Sequence, residues 1–557
     1  MGNLGNIAVI IILNLLVYWK SLKYGFVGDD IERSQRKDPL LINDEVYLKR
    51  QTPVPNSNPP QILHEQEMIK ITECCKCRSL TAFGRLFEDS AGFFKPKNIK
   101  LSNLETRETI CVDCETQNPS RILALSRWIK NRVFNAWIQF IGLRYRSAKV
   151  AHSMTLGVHT VCCVAIYLAL GCNDLSLLTA ILFAVNPINI QGSIWISGRN
   201  YATATICILA MWALPKLSWI FYGVSGFFGV NGWFSPLVFL GTPHWYMVGI
   251  LPIVWLLMPH NKSTLHRKLW ETGGLKTTNT EMRAVKLSKI IPFVKTYMYY
   301  FVLALFPHTI AIEHNFIRGF GTNKTDNEKG YKIDRFFWTG FVMFSTVSII
   351  SLWCIFNGWT PLTWGLFWFT VNIAMWSNFV TYQQHISERY VYLANVGMMY
   401  ALASVAINYP ILAGVFVVGY IVRLRYIMDM YLNDYWTVEY SLTEAKNMHY
   451  IWLMRGVKKF AIKDYMGALY DFNEAYQHKP YDLKVLYDLA VVNLLVGNLP
   501  ASKDFLKKAR ENVYDELSDV VQPAFDSLEK QIKLVEESQA RGEKGINIDL
   551  KNIMVVK

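Results

Sequence analysis

Asp29 and Asp30 stand side by side in the run Tyr24-Gly25-Phe26-Val27-Gly28-Asp29-Asp30, directly after the first apolar segment, Ile7 to Tyr18. Carboxylates beside a bilayer are costly to desolvate, and an ionisable group there is a functional-site hypothesis by default. The bland alternative is a pair of solvated loop acids, the common fate of a surface carboxylate. Three further polar clusters interrupt apolar sequence. The first is Asn186-Pro187-Ile188-Asn189-Ile190-Gln191, running on to Trp195-Ile196-Ser197-Gly198-Arg199-Asn200. Phe306-Pro307-His308, with Glu313 and His314 behind it, is the second, and His385-Ile386-Ser387-Glu388-Arg389-Tyr390 the third. Proline at 187 ends an apolar helix near Asn186, and the backbone groups it frees need polar partners.

A different chemistry is written in the cysteines. Cys74 and Cys77 form one C-x2-C pair and Cys111 and Cys114 another, 33 residues on. Four thiolates at this spacing suit a tetrahedral structural zinc, and a closed four-sulfur site leaves no open position for catalysis. Two disulfides or free thiols are the alternative, favoured in an oxidising compartment. Cys75 is spare, and Cys162, Cys163, Cys172, Cys207 and Cys354 read as small packing residues in or beside apolar stretches. No organic cofactor is expected.

The elements that must position these residues are membrane helices. The 557-residue chain is 52% hydrophobic and only 18% charged, with 18 Trp, which is too apolar for an ordinary soluble protein. Apolar runs at about 5–22, 153–171, 175–190, 201–215, 218–240, 245–258, 290–306, 336–356, 361–379, 390–407 and 409–422 give about eleven spans. The first run lacks a small-residue cleavage site and reads as a retained helix. The net charge of +14 sits in loops and beside spans, so membrane lipid, not nucleic acid, is the expected partner.

Seven basic residues in the loop 259–289 mark it as cytoplasmic. Counting spans from there puts all the polar clusters, and the tail, on the extracytoplasmic side. Lys20, Lys23, Arg33, Arg36 and Lys37 argue the other way; a long loop translocates largely regardless of its charge. The chain divides into a first helix with the Asp-Asp loop (1–30), an insertion with the cysteine pairs (31–119) whose residues 34–70 read as an extended linker, and a basic, aromatic amphipathic helix (120–148). A polytopic domain (149–425), a linker (426–448), helical repeats with a cap (449–540) and a loose end (541–557) follow. The amphipathic helix serves either as a platform collecting an anionic lipid-linked substrate or as a topological anchor.

In the tail, Trp452, Gly456, Ala468, Phe472, Ala475 and Pro480 fit a 34-residue helix-turn-helix repeat, and Leu486, Ala490 and Ala509 echo it 34 residues later. Two such tetratricopeptide-like (TPR) units make a short groove for a protein partner or acceptor, or else a packing spacer.

Taken in order, Gly-Phe-Val-x-Asp-Asp, Phe-Ala-Val-x-Pro-Ile running into Gly-Arg, and Ser-Glu-Arg-Tyr-x-Tyr-Leu ahead of the repeats resemble the transmembrane and tetratricopeptide-repeat (TMTC-like) proteins and their bacterial relatives. These belong to the GT-C-type glycosyltransferases. The resemblance implies an all-α polytopic fold in a bacterial inner membrane or an endomembrane, and transfer of a mannose-like sugar from a polyprenyl-phosphate donor to an acceptor, expected to be a protein. It implies Asp29 or Asp30 as general base or acceptor-positioning carboxylate and Arg199 and Arg389 as donor-phosphate residues; Asn186, Asn189, Gln191, His308 and Glu388 complete the site. Where relatives carry His, His and Glu, this chain has Asn186, Asn189 and Gln191, which hydrogen-bond but neither titrate nor ligate metal strongly. A non-catalytic membrane scaffold that kept the fold, assembling through the repeats and the insertion, is therefore the rival reading.

Overall fold

The computed structural model describes residues 2–25, 45–53, 62–73, 80–83, 100–101, 109–110, 148–228, 234–249, 290–311, 333–374, 376–377, 386–432, 434–444, 449–480, 482–511 and 515–541. From residue 148 onward every described element is a helix, as is the N-terminal segment. Asp29, Asp30, the four paired cysteines, the basic loop 259–289 and almost all of the amphipathic stretch 120–148 lie outside the described residues.

The N-terminal helix α1 (Asn3–Tyr18) continues as a 3-10 turn to Lys23. The insertion contributes β1 (Glu45–Pro53), β2 (Ile62–Glu73), β3 (Leu80–Phe83), β4 (Lys100–Leu101) and β5 (Thr109–Ile110). β2 pairs antiparallel with β1 on one side and β3 on the other. This corrects the reading of residues 34–70 as an extended linker: the β-branched and aromatic residues Val46, Tyr47, Ile69 and Ile71 suit a pleated pair, and polarity hid them.

The membrane domain is built from α2 (Ala148–Ala169), α3 (Asp174–Val185), the single turn α4 (Ile190–Ser193), α5 (Arg199–Ala213), α6 (Ser218–Phe228), α7 (Ile290–Leu305), α8 (Arg335–Asn357), α9 (Pro361–Ala374), α10 (Tyr392–Ala406) and α11 (Pro410–Ile427). Four helices are long and apolar enough to cross a membrane, Asn3–Lys23, Ala148–Ala169, Arg335–Asn357 and Pro410–Tyr431, and up to six spans result if each bent pair counts as one. Pro187 breaks the first pair by 61° and Pro215 the second by 119°. Eleven separate crossings are thus not seen among the described residues. The stretches expected at 201–215 and 218–240 form one sharply bent unit, and around Pro236 and Pro243 the chain makes 3-10 turns, Ser235–Phe239 and Trp245–Gly249.

Local signals explain the boundaries. Asn173 opens α3 with a capping box, its Oδ1 accepting from Ser176 N–H at 2.8 Å while Ser176 Oγ accepts from Asn173 N–H at 2.8 Å. α10 is buried nearly all round, which accounts for its lack of a polar face. It crosses α9 where two glycines meet: a Cβ at Gly365 would lie 2.6 Å from the carbonyl oxygen of Gly397. Small residues at such a crossing let the two backbones approach.

Beyond the bundle come α12 (Asp434–Glu444), α13 (His449–Ala461), α14 (Tyr465–His478), α15 (Leu483–Leu495), α16 (Leu499–Glu511) and α17 (Asp515–Ala540). The α13–α14 hairpin begins its helices at 449 and 465 and the α15–α16 hairpin at 483 and 499, an offset of 34 residues in both cases. The first hairpin is clamped by Arg455, which donates to both carboxylate oxygens of buried Asp471 at 3.0 and 2.8 Å. α17 closes the array, burying Phe525, Leu528 and Ile532 against α15 and α16.

Candidate functional site

At one end of the bundle several helices stop, and their ends are stitched by buried amides. Asn186, fully buried at the end of α3, donates through Nδ2 to the Ala304 carbonyl at 2.8 Å and accepts the N–H of Ile188 at 3.0 Å. Asn189 donates to the Phe183 carbonyl at 2.7 Å and accepts from Asn395 Nδ2 at 3.1 Å. Gln191 donates to Glu388 Oε2 at 2.5 Å and accepts from Ser387 Oγ at 3.1 Å. Glu388 Oε1 accepts the backbone N–H of Ala311 at 2.7 Å. Asn186 Oδ1 and Asn189 Nδ2 therefore serve backbone groups freed where Pro187 breaks the helix, the requirement a bilayer imposes on irregular backbone, while Gln191 and Glu388 tie that segment to Ser387 and Ala311. Gly192 makes room for the ring of Tyr392, which a Cβ there would approach to 2.3 Å, and Tyr392 Oη meets His159 Nδ1 at 2.6 Å.

The two arginines are held differently. Arg199, 1% exposed, opens α5 and donates through Nε to the Ile196 carbonyl at 3.1 Å. A guanidinium at a helix N-terminus opposes the helix dipole, so its placement costs stability unless an anion is near. Arg389 is half-buried, its guanidinium carbon 5.4 Å from the ring of Trp195 and 5.3 Å from that of Tyr390, and Tyr390 stacks on Trp376 at 4.0 Å. Trp195 and Arg199 belong to one short segment, so both cations border the same stretch of chain.

The last described residue before Phe26 is held at this same end. Gly25 donates its N–H to the Leu432 carbonyl at 3.0 Å. Buried His152 lies between two segments, with Nε2 3.0 Å from the Gly25 carbonyl oxygen and Nδ1 3.0 Å from that of Ile194. The chain leading to Asp29 is thereby fastened beside the chain leading to Arg199. Asp429 adds a further tie, accepting from Tyr24 Oη at 3.1 Å.

Of the residues expected in a site, Gln191 and Glu388 are bonded to each other, Asn186 and Asn189 are buried at the break after α3, and Arg199 and Arg389 follow the same segments in sequence. His308 does not join them: its side chain is exposed, with Nδ1 3.0 Å from the Phe306 carbonyl oxygen, and its own carbonyl accepts from Arg423 at 2.8 Å. Ser387 bonds Gln191, Tyr300 bonds Ser387 and Asn395 bonds Asn189, while His152 and His159 are buried nearby with partners of their own; Tyr300, Asn395 and the two histidines were not among the residues expected from the sequence. The spacing of seven between His152 and His159 inside an apolar helix was a legible sign, since it puts both on one face.

The zinc expectation is corrected. Among the described residues no group of three or more His, Cys, Asp or Glu side chains is placed to hold a metal ion. The described cysteines, Cys162, Cys163, Cys172, Cys207 and Cys354, are free thiols. Those in the bundle pack as small apolar groups, while Cys74, Cys77, Cys111 and Cys114 are outside the described residues.

No protein family, curated protein or solved structure matches this chain.

Proposed function

We propose that this chain transfers a sugar from a polyprenyl-phosphate donor to a hydroxyl acceptor at the end of the membrane domain where the polar clusters meet. Arg199 and Arg389 hold the donor phosphate, Asp29 or Asp30 takes the acceptor proton, and the amide network holds the frame. The observation that carries this reading is the bridge at His152, which ties Gly25 to Ile194 and so begins the Asp-bearing loop next to the arginine-bearing segment. Asp29 is four steps along the chain from Gly25, a reach of at most about 14 Å. The side is taken as extracytoplasmic, and the two 34-residue hairpins as a TPR-type surface for a protein acceptor or partner.

The scaffold reading is favoured by one specific observation. Asn186, Asn189 and Gln191 direct their side-chain hydrogen bonds into the protein. Residues so engaged serve the fold whether or not a substrate ever binds.

Reconstituting the chain in vesicles with labelled polyprenyl-phosphate sugars separates the two. Asp29→Asn or Asp30→Asn is expected to lower transfer by about 10² to 10⁴, since the base is lost and the shape kept. Arg389→Lys is expected to raise the donor KM, because a point charge replaces a fork. Full activity in both aspartate variants sinks the carboxylate assignment, and inactivity of the unaltered chain with every donor favours the scaffold.

A further inference from the structure

The polar end of the bundle also carries a concentration of exposed cations at one seam between two lipid-facing helices. Ile12, Leu15 and Leu16 of α1 are 55%, 50% and 64% exposed, and Val415, Val418 and Val422 of α11 are 63%, 61% and 64% exposed. Arg425 Nη2 donates to the carbonyl of Leu16 at 2.9 Å, which joins the two helices at this end. Exposed apolar area of this extent on a membrane helix is the face that meets acyl chains.

Directly above the stripes stand Trp19 and Tyr426, exposed aromatics of the kind that sit at headgroup depth. With them are the exposed side chains of Lys20, Lys23 and Arg425. The acid among these groups is Asp429, whose carboxylate meets Lys20 Nζ at 2.6 Å and accepts from Tyr24 Oη. Among the described residues, three cations stand against one carboxylate at this seam. Arg423, one turn back, differs: it donates to the carbonyls of Pro307 and His308 and so braces the end of α7.

We propose that the seam between α1 and α11 binds an anionic phospholipid of the surrounding bilayer, its phosphate on Arg425 with Lys20 and Lys23 around it and an acyl chain along the valine and leucine stripe. A guanidinium beside ammonium groups suits a phosphodiester, and cations immediately next to a membrane helix attract anionic lipid. The apolar wall is continuous with the lipid-facing surface, so the occupant has a two-dimensional path to the seam. The proposal is independent of sugar transfer.

The test uses the full chain, released from mixed micelles containing equal phosphatidylglycerol and phosphatidylcholine, with bound lipid counted by native mass spectrometry. Selective retention of phosphatidylglycerol is expected, reduced about five-fold each by Arg425→Gln and Lys23→Gln. Asp429→Asn, which removes the opposing charge, is expected to raise it. Lys23 has no hydrogen bond or ion pair among the described residues, so its variant leaves the packing intact and keeps the test decisive if Arg425→Gln misfolds. Equal retention of both lipids, or undiminished retention in Lys23→Gln and Arg425→Gln, overturns the proposal. Displacement of phosphatidylglycerol by an equimolar polyprenyl phosphate would also overturn it, because the seam would then belong to the donor.

Discussion

Replacing Gln191 by Leu should unlock the break after α3. In the native structure the Gln191 amide donates to Glu388 Oε2 at 2.5 Å and its carbonyl accepts from Ser387 Oγ at 3.1 Å, with Gln191 2% exposed and Glu388 and Ser387 fully buried. A hydrogen bond to an acidic group is worth about 1.5–3 kcal/mol and a neutral one about 1 kcal/mol, and a buried acceptor left without its donor adds a further penalty. Leu is similar in volume, so little cavity forms, and the expected loss is about 3–5 kcal/mol. Glu388→Gln keeps the shape but turns one of the two oxygens into a donor that must face either Ala311 N–H or the Gln191 amide, for an expected loss of about 2–3 kcal/mol. Because both changes strike one contact, the double variant should lose less than the sum, by about 1.5–3 kcal/mol. Unfolding in mixed micelles titrated with a denaturing detergent, followed by near-ultraviolet circular dichroism, provides the four stabilities of the cycle. A Gln191→Leu protein within about 0.5 kcal/mol of the unaltered chain, or strict additivity, would refute the claim that this pair locks the break.

Gly397→Ala should destabilise the bundle by about 1–3 kcal/mol, because the new Cβ would lie 2.4 Å from the Gly365 carbonyl oxygen where α9 and α10 cross; the same titration measures it. Lys463 follows α13 with φ +67°, and 34 residues on Gly497 follows α15 with φ +84°. Lys463→Gly should therefore stabilise the tail by about 1 kcal/mol by removing the left-handed penalty of a side chain, read as a raised Tm of the tail transition. In Asp482 burial acts to raise the carboxyl pKa, but Lys479, His449 and the N–H of Val485 outweigh it and hold the pKa below the ordinary 3.8. A depressed carboxyl stabilises the fold above the unfolded pKa and loses that contribution as pH falls through the folded value. This contribution to the hairpin array should thus be lost only below about pH 4, and Asp482→Asn should remove that part of the acid dependence in a pH series of thermal melts.

What the sequence by itself determined follows from local physics. The apolar runs announced helices fit for a bilayer because only buried or lipid-facing helices tolerate such composition, and Pro187 announced the break because it has no N–H to give. The 34-residue echo of Trp452, Ala468 and Ala475 foretold two hairpins, since each unit must bury the same face against its neighbour. That Asn186, Gln191, Arg199, Glu388 and Arg389 fall at or near helix ends was also legible, as polar residues in apolar sequence need a reason.

Other features were decided only in three dimensions. Pro215 could have separated two spans, and packing made it a 119° turn within one bent unit. Which partner each amide takes depends on helices up to 206 residues apart, as in Asn395 with Asn189. His308 had the chemistry of a site residue, yet the turn after α7 leaves its ring in solvent, while the spacing of His152 and His159 marked one face of a helix without saying what that face meets. His152 gained its role because α2 brings it between Gly25 and Ile194, and a hydrogen bond depends on where two backbones arrive, which no local stretch of sequence specifies.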